Sequence, residues 1–198
     1  MAKPVSPRIE RRHFLRAASL LPLSAAASLP LLAAARAAPT PECRDRDEPT
    51  PRQTEGPFYT PRSPRRVSLV EPGMRGEKYI LGGLVLDTRC RPVAGALLDF
   101  WQCDAAGEYD NLGYRLRGRQ LSDANGRFRL ETLLPGLYPG RTRHFHVKVQ
   151  APGRPVLTTQ LYFPGEPANR SDGLYRRELA MRAVGAGEGR FDFVLDMG

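Results

Sequence analysis

The chain has 198 residues, of which 41% are apolar and 26% charged, and its net charge is +9. This length is enough for one domain with a sizeable core. Residues 1–37 carry +5 of the charge, so the remainder keeps only +4. A surplus this small, without clustering, argues against binding to nucleic acid or to a membrane surface.

The amino-terminal segment has the features of an export signal. Arg11 and Arg12 form a twin arginine, and residues 17–35 are an apolar stretch interrupted by two prolines. Small residues at the positions that signal peptidase reads predict cleavage after Ala37. A retained membrane anchor is the alternative, and the prolines disfavour it. We expect residues 1–37 to be a twin-arginine signal peptide and the mature protein to be periplasmic or extracellular.

The next segment, residues 38–63, is rich in proline and charge and has no apolar period. This composition predicts an extended arm that lies over the domain. Within the arm, the sequence QTEGPFY at residues 53–59 is the only aromatic cluster, and its rings require packing partners.

Residues 64–198 have an all-β pattern, with short segments rich in β-branched and aromatic residues between turn sequences. The predicted strands cover residues 79–87, 94–102, 116–121, 126–132, 143–150, 158–163 and 190–196. The first two are expected to form a hairpin, and helix is expected only as one turn near residues 175–179. The pattern predicts an antiparallel β-sandwich with an extended N-terminal arm and minor helix.

Three cysteines fit an oxidising compartment and leave one residue unpaired. Cys90 lies in the predicted hairpin turn and Cys103 at the far end of the second strand. At about 3.3 Å per residue these two are too far apart to bridge. Pairing of Cys43 with either of them stays open, and so does a set of three separate thiols.

The run YPGRTRHFHVKV, which ends in a predicted strand, contains two of the three histidines. Side chains alternate between the faces of a strand, so Phe145 and Val147 face the core while His144 and His146 share the other face. Two imidazoles at this spacing can bind one metal ion. The alternative is an edge strand that carries two solvated histidines.

Two tyrosines offer further ligands. Tyr138 precedes the histidine strand in a loop bounded by glycine and proline, and Tyr109 follows the strand that carries Trp101. Phenolate is a hard anionic oxygen donor and imidazole an intermediate nitrogen donor, a set that suits Fe(III) better than zinc. The other large aromatic residues are assigned to the core or to packing and rim positions: Trp101, Tyr114, Tyr162 and Tyr175.

The segments WQCDAAGEYD, SDANGRFRLETLLPGLYPGRTRHFHVKV and TTQLYFPGE resemble the intradiol ring-cleavage dioxygenases, the family of protocatechuate 3,4-dioxygenase and catechol 1,2-dioxygenase. The resemblance extends over residues 54–163. It implies a β-sandwich that holds non-haem Fe(III) through two tyrosinates and two histidines. By the same resemblance, Tyr109 and His144 match the equatorial ligands, and Tyr138 and His146 match the axial pair.

The resemblance also implies the reaction, in which a catechol-type diol and O2 give a muconate-type diacid. Arg141 matches the arginine that stabilises the carbanion-like character of the bound catecholate, and Gln160 matches a nearby active-site glutamine. Tyr138 is expected to leave the metal when the diol binds and to act as a base. Nucleic-acid binding and stable membrane insertion after cleavage are not expected, and homo-oligomerisation is left open.

Tyr138 and His144 are closer in sequence here than in the well-studied members, so the chain looks like a short exported branch of the family. A second hypothesis is an exported β-sandwich binding module with a degenerate metal site, because a fold alone does not define a function. Colour separates the two hypotheses, since charge transfer from tyrosinate to Fe(III) gives a red-brown protein.

Overall fold

The computed structural model describes residues 48–198, so the predicted signal peptide lies outside the described residues. The strands of this region are β1 Lys78–Asp87, β2 Leu97–Trp101, β3 Arg117–Leu121, β4 Arg127–Leu133, β5 His144–Gln150, β6 Leu157–Tyr162, β7 Arg182–Gly185, β8 Glu188–Arg190 and β9 Phe193–Leu195. Within residues 48–198, helix is limited to two 3-10 turns, Pro167–Arg170 and Arg177–Leu179. The prediction of an all-β fold with minor helix is confirmed. No helix between residues 48 and 198 is long and apolar enough to cross a membrane.

The strands form two sheets. The first has the order β4-β1-β8-β7, with β9 also paired to β1, and the second has the order β3-β2-β5-β6. Both sheets contribute to one core, Leu81 and Leu130 from the first and Phe100 and Val147 from the second. The second sheet is antiparallel throughout. The first also contains parallel pairs, because β1 runs parallel to β8 and β9.

β1 and β2 do not form the predicted hairpin, since they belong to different sheets. The turn begins as expected, with the Val93 N–H donating to the Val85 carbonyl at 2.8 Å. After the turn, Ser122 hydrogen-bonds to the backbone of residues 93 and 96, which precede β2. Its hydroxyl accepts from the Ala96 N–H at 2.9 Å and donates to the Val93 carbonyl at 2.7 Å. These bonds lead β2 into the second sheet, beside β3.

Residues 190–196 are not the single strand that was expected. β8 ends at Arg190 and β9 begins at Phe193. Between them, Asp192 Oδ1 accepts the Leu84 N–H at 2.9 Å, which replaces a backbone bond of the ladder. β7 carries no alternating apolar signal, because all four of its residues are exposed.

The described part of the predicted arm crosses the outer face of the second sheet, and we call residues 53–66 the strap. The strap is anchored to every strand of this sheet. The anchors are Gln53 N with the Thr158 carbonyl of β6 (2.9 Å), Glu55 with Lys148 of β5 (2.5 Å), Tyr59 with Asp99 of β2 (3.0 Å) and Arg66 N with the Arg119 carbonyl of β3 (2.9 Å). The strap therefore covers the sheet face that carries the two histidines.

The cysteines differ in state. Cys103 is a buried free thiol directed at the Gly136 carbonyl oxygen, 3.5 Å away. Cys90 is disulfide-bonded, so the alternative of three separate thiols is wrong. Cys43 lies outside the described residues. The conclusion that Cys90 and Cys103 do not bridge is confirmed.

Candidate metal centre

His144 and His146 lie on the outer face of β5, an interior strand between β2 and β6. Their side chains are only 2% and 1% exposed, because the strap covers this face. The alternative of an edge strand with solvated histidines is therefore wrong. On the opposite face, Phe145 and Val147 enter the core as predicted.

The two imidazoles point at each other through their Nε2 atoms, which lie 3.1 Å apart. His144 Nδ1 lies 2.6 Å from the Thr142 carbonyl, and a carbonyl only accepts, so this nitrogen carries the proton and leaves Nε2 with its lone pair. Burial lowers the pKa of His144 to about 4. Burial and then the neighbouring His144 hold the pKa of His146 well below its usual range. Both rings are thus neutral at neutral pH, the form that binds a metal ion.

The Tyr109 and Tyr138 rings close the other side of the same space. Their centroids are 5.9 Å apart at an interplanar angle of 79°. The Tyr138 ring lies 5.8 Å from that of His144, and the Tyr109 ring lies 6.2 Å from that of His146. The structure therefore brings the four predicted ligands together around one point, although they come from three separate segments.

Two glycines allow the tyrosine loops to pack against each other. Gly107 has a φ of +89°, and a Cβ at this position would collide with the Leu137 carbonyl. A Cβ on Gly136 would collide with the backbone of Gly107 in the same way. Only glycine fits at both positions, and the close contact sets Tyr109 beside Tyr138.

The donor set fits a hard metal ion. The hydroxyl of Tyr109 is buried without a hydrogen-bond partner, a costly state for a polar atom that a bound ion can relieve. Two nitrogens bound to one metal at about 2.1 Å and at a right angle lie about 3 Å apart, close to the 3.1 Å between the imidazoles. Two phenols and two imidazoles suit Fe(III). Within residues 48–198, no group of three or more His, Cys, Asp or Glu side chains is placed to hold a metal ion.

Arg141 and Gln160 stand next to Tyr138. Arg141 Nη1 donates to the Tyr138 hydroxyl at 3.3 Å, and Nη2 donates to Gln160 Oε1 at 2.6 Å. Gln160 is fully buried, and its Nε2 donates to the Thr54 carbonyl of the strap at 2.9 Å. Burial raises the pKa of the Tyr138 phenol, and the Arg141 charge opposes that rise. Burial also raises the pKa of Tyr109 strongly, and the nearby Tyr138 adds to that rise.

Aromatic rings cover the site. Phe58 of the strap stacks on Tyr109, with centroids 4.3 Å apart and an interplanar angle of 16°. Trp101 stacks on His146 at 4.8 Å and 11°. Trp101 was expected in the core, but it lies on the outer face of the second sheet, because its register partner is His146. It is buried between the strap residue Tyr59 and the imidazole.

Two residues that touch the site were not predicted from the sequence. Phe58 belongs to the aromatic cluster QTEGPFY. The requirement of its ring for a packing partner is the feature of the sequence that could have identified it. Asp172 binds Arg141 Nε at 3.0 Å and lies just beyond the first 3-10 turn. No local pattern marks Asp172, because its contact depends on how two distant loops pack.

Comparisons with known proteins identify the class. A family model described as Dioxygenase matches residues 54–196. The chain is similar to a catechol 1,2-dioxygenase of Candida albicans, with 32% identity over 61% of this chain and 49% of that protein. It is also similar to the protocatechuate 3,4-dioxygenase beta chain of Burkholderia cepacia, with 33% identity over 51% of each. The chain spans about half the length of these curated relatives.

Solved structures show the same likeness. The dioxygenase domain of a dioxygenase carbohydrate-binding protein fusion from the cellulolytic bacterium Streptomyces sp. SirexAA-E superimposes with a TM-score of 0.73 and 56% identity, over 76% of this chain and 100% of that one. The family model places the chain among the dioxygenases. The named relatives narrow the class: the chain belongs to the intradiol dioxygenase family.

Proposed function

We propose that this protein is a Fe(III)-dependent intradiol dioxygenase that cleaves a catechol-type aromatic diol with O2. The observation that carries the proposal is the convergence of two imidazoles and two phenols, with the imidazole Nε2 atoms 3.1 Å apart. His144, His146, Tyr109 and Tyr138 would hold the iron. Bound Fe(III) would supply a Lewis acid that favours the deprotonated diol and makes it reactive toward O2.

The surrounding residues support this chemistry. Tyr138 would supply a phenolate base for the proton of a diol hydroxyl. Arg141, 3.3 Å from the Tyr138 oxygen, places a fixed positive charge where the ionised diol carries negative charge. Phe58 and Trp101 exclude water from the far side of the ligands, which strengthens these electrostatic interactions.

The test uses the purified protein as exported. We expect iron at close to one ion per chain, a red-brown colour, and O2 uptake when catechol, protocatechuate and hydroxyquinol are offered in turn, with a diacid product detected by mass spectrometry. A colourless, iron-free protein after expression with added iron would contradict the proposal and favour the binding-module hypothesis. An iron-loaded protein that cleaves none of these diols would contradict the substrate class.

We also propose export by the twin-arginine route to the periplasm or the outside of the cell, from the Arg11-Arg12 pair and the apolar stretch that follows it. The Streptomyces relative comes from a cellulolytic organism and is fused to a carbohydrate-binding protein, which fits a diol met outside the cell. Replacement of Arg11 and Arg12 by lysine should retain the protein in the cytoplasm, as measured by fractionation. Unchanged export of the double variant would contradict this route.

A further inference from the structure

The guanidinium of Arg141 is engaged on three sides, with a different nitrogen on each. Nη1 reaches the Tyr138 hydroxyl and Nη2 reaches Gln160. The third nitrogen, Nε, donates to Asp172 Oδ2 at 3.0 Å. A planar guanidinium held by one edge presents the other two nitrogens in fixed directions. The orientation of Arg141 toward the site therefore depends on what holds Nε.

Asp172 is itself fixed by the backbone around it. Its Oδ2 also accepts the Thr142 N–H at 2.9 Å, and its Oδ1 accepts the Leu174 N–H at 2.8 Å. The side chain is 1% exposed, against 15% for that of Arg141. Burial opposes its ionisation, but the bonds from Thr142, Leu174 and Arg141 outweigh it and hold the pKa of Asp172 below its usual range. A buried carboxylate with every oxygen occupied is a rigid anchor.

The loop around Asp172 holds the whole segment before His144. Besides the Asp172 bonds to Arg141 and Thr142, the Thr142 hydroxyl donates to Asn169 Oδ1 at 2.7 Å. Arg143 Nε binds Glu166 at 3.1 Å. Among these pairs, only that of Asp172 and Arg141 continues to Tyr138 and Gln160. Arg143 contacts Glu166 and the Pro135 carbonyl instead.

We propose that Asp172 is a positioning residue, which holds Arg141 through Nε so that its two terminal nitrogens stay directed at Tyr138 and Gln160. The proposal rests on the proposed dioxygenase function for its effect on turnover. Its structural part, the orientation of the guanidinium, is independent of that function. Asp172 touches none of the four proposed ligands, and its proposed effect on turnover passes through Arg141.

The physical reason for such an anchor is the freedom of an arginine side chain. Without a partner for Nε, the Arg141 side chain could adopt many rotamers, and its guanidinium would not stay directed at Tyr138 and Gln160. The reaction needs its charge at one place, and a displacement of about 1 Å from that place can reduce a rate by about a hundredfold. Asp172→Asn keeps the shape and removes the charge that holds Nε. Glu166→Gln is the matched control, because it makes the same change in the same loop at a pair that does not reach Tyr138.

The experiment compares the iron-loaded wild type with both variants, with Arg141→Ala, with Arg141→Lys and with the double variant that combines Asp172→Asn and Arg141→Ala. In Asp172→Asn we expect the iron content and visible band of the wild type, a KM within about twofold, and a kcat lowered roughly tenfold to a hundredfold. Glu166→Gln should keep the wild-type kcat. In the Arg141→Ala background, Asp172→Asn should cause no further loss, as non-additivity requires of residues that act in series.

Crystal structures of Asp172→Asn and Glu166→Gln give a readout that does not depend on activity. We expect the guanidinium to leave Tyr138 and Gln160 in the first and to stay in the second. A guanidinium still in place in Asp172→Asn would overturn the proposal, whatever the substrate proves to be. The proposal would also be overturned if Asp172→Asn lowered kcat by the same factor in the Arg141→Ala background as in the wild type. Arg141→Lys keeps the positive charge but lacks Nε, so wild-type turnover in this variant would overturn the proposal even if Asp172→Asn fails to fold.

Discussion

The ring of Phe58 in the strap lies parallel to the ring of Tyr109, with centroids 4.3 Å apart and an interplanar angle of 16°. The same Phe58 ring meets Tyr138 edge-on, at 6.5 Å and 86°. One strap side chain thus contacts both phenols of the candidate metal centre. Arg117 holds it there, because Arg117 Nη1 donates to the Phe58 carbonyl at 2.6 Å.

Phe58→Ala should therefore affect both stability and the metal spectrum. Phe58 is half-buried, so we expect a loss of roughly 1–3 kcal/mol in the free energy of unfolding, below the cost for a fully buried ring. The visible band of the iron-loaded protein should shift, because water gains access to Tyr109. Urea denaturation and absorption spectra measure the two effects. Leu112→Ala, at a fully exposed position, is the control, and a Phe58→Ala variant that matches it in both measurements would contradict the role of the strap.

His144→Ala and His146→Ala should each abolish iron binding and colour, since each removes one of two imidazoles that share a strand face. Lys148→Met is the control. It lies on the same face of β5 and contacts the strap at Glu55 and Tyr59, but not the imidazoles. Metal analysis after expression with added iron measures the result. A full complement of iron in either histidine variant would refute the ligand assignment.

Local patterns predict the strands well and their partners poorly. β5 and β6 are found within one residue of the expected bounds, because apolar alternation is a property of the strand itself. β1 pairs with β4, β8 and β9 and not with β2. That choice depends on Ser122, which binds Val93 and Ala96 across the fold. Hydrogen bonds between residues so far apart in sequence produce no local sequence pattern, so they cannot be predicted from the segments that they join.

The candidate site likewise has one part that the sequence predicts and other parts that it does not. The shared face of His144 and His146 follows from strand geometry alone. The approach of Tyr109 to Tyr138 depends on the contact of Gly107 with the 136–137 backbone, and only the family resemblance anticipates it. The covering of the histidines, and with it the place of Trp101, required knowledge of where the strap runs.

The raised pKa of Asp99, which anchors the strap, should make the free energy of unfolding depend on pH. Asp99 accepts hydrogen bonds from Tyr59 and Ser63, yet burial raises its pKa above the usual value despite these bonds. Because the pKa of Asp99 is raised in the folded state, the contribution of Asp99 to the free energy of unfolding is greatest at low pH. This contribution is lost as the pH rises through the folded pKa. The loss should therefore begin near pH 4, the ordinary pKa of an aspartate.

Asp99→Asn keeps a hydrogen-bonding group without a charge, so it should lack this loss. The difference in unfolding free energy between wild type and variant should favour the wild type more at pH 4 than at pH 7, as measured by urea denaturation. Carboxylates with lowered pKa values, such as Asp87 and Asp110, lose stability toward acid in both proteins and cancel in the difference. Asp99→Ala removes both hydrogen bonds and should cost about 1–3 kcal/mol. A difference that does not change with pH would show that Asp99 is ionised as readily in the folded chain as in the unfolded one.

The two tyrosines should differ in how they contribute, because their surroundings differ. Tyr138 lies in a partly exposed loop between two glycines and hydrogen-bonds to Arg141 at 3.3 Å, so it can move without disturbing a strand. Tyr109 lies beneath Phe58, and its hydroxyl is buried without a hydrogen bond. Displacement of Tyr109 would break close packing.

We therefore expect Tyr138 to leave the iron when a diol binds and Tyr109 to stay. Tyr138→Phe should keep some iron and colour but lose turnover, because it removes the base and leaves the other three ligands in place. Tyr109→Phe should lose most of the charge-transfer band. The matched pair is compared by metal content, visible absorption and O2 uptake. A crystal structure with a bound diol that shows Tyr138 on the metal and Tyr109 released would reverse the assignment, since the more tightly packed phenol would then be the mobile one.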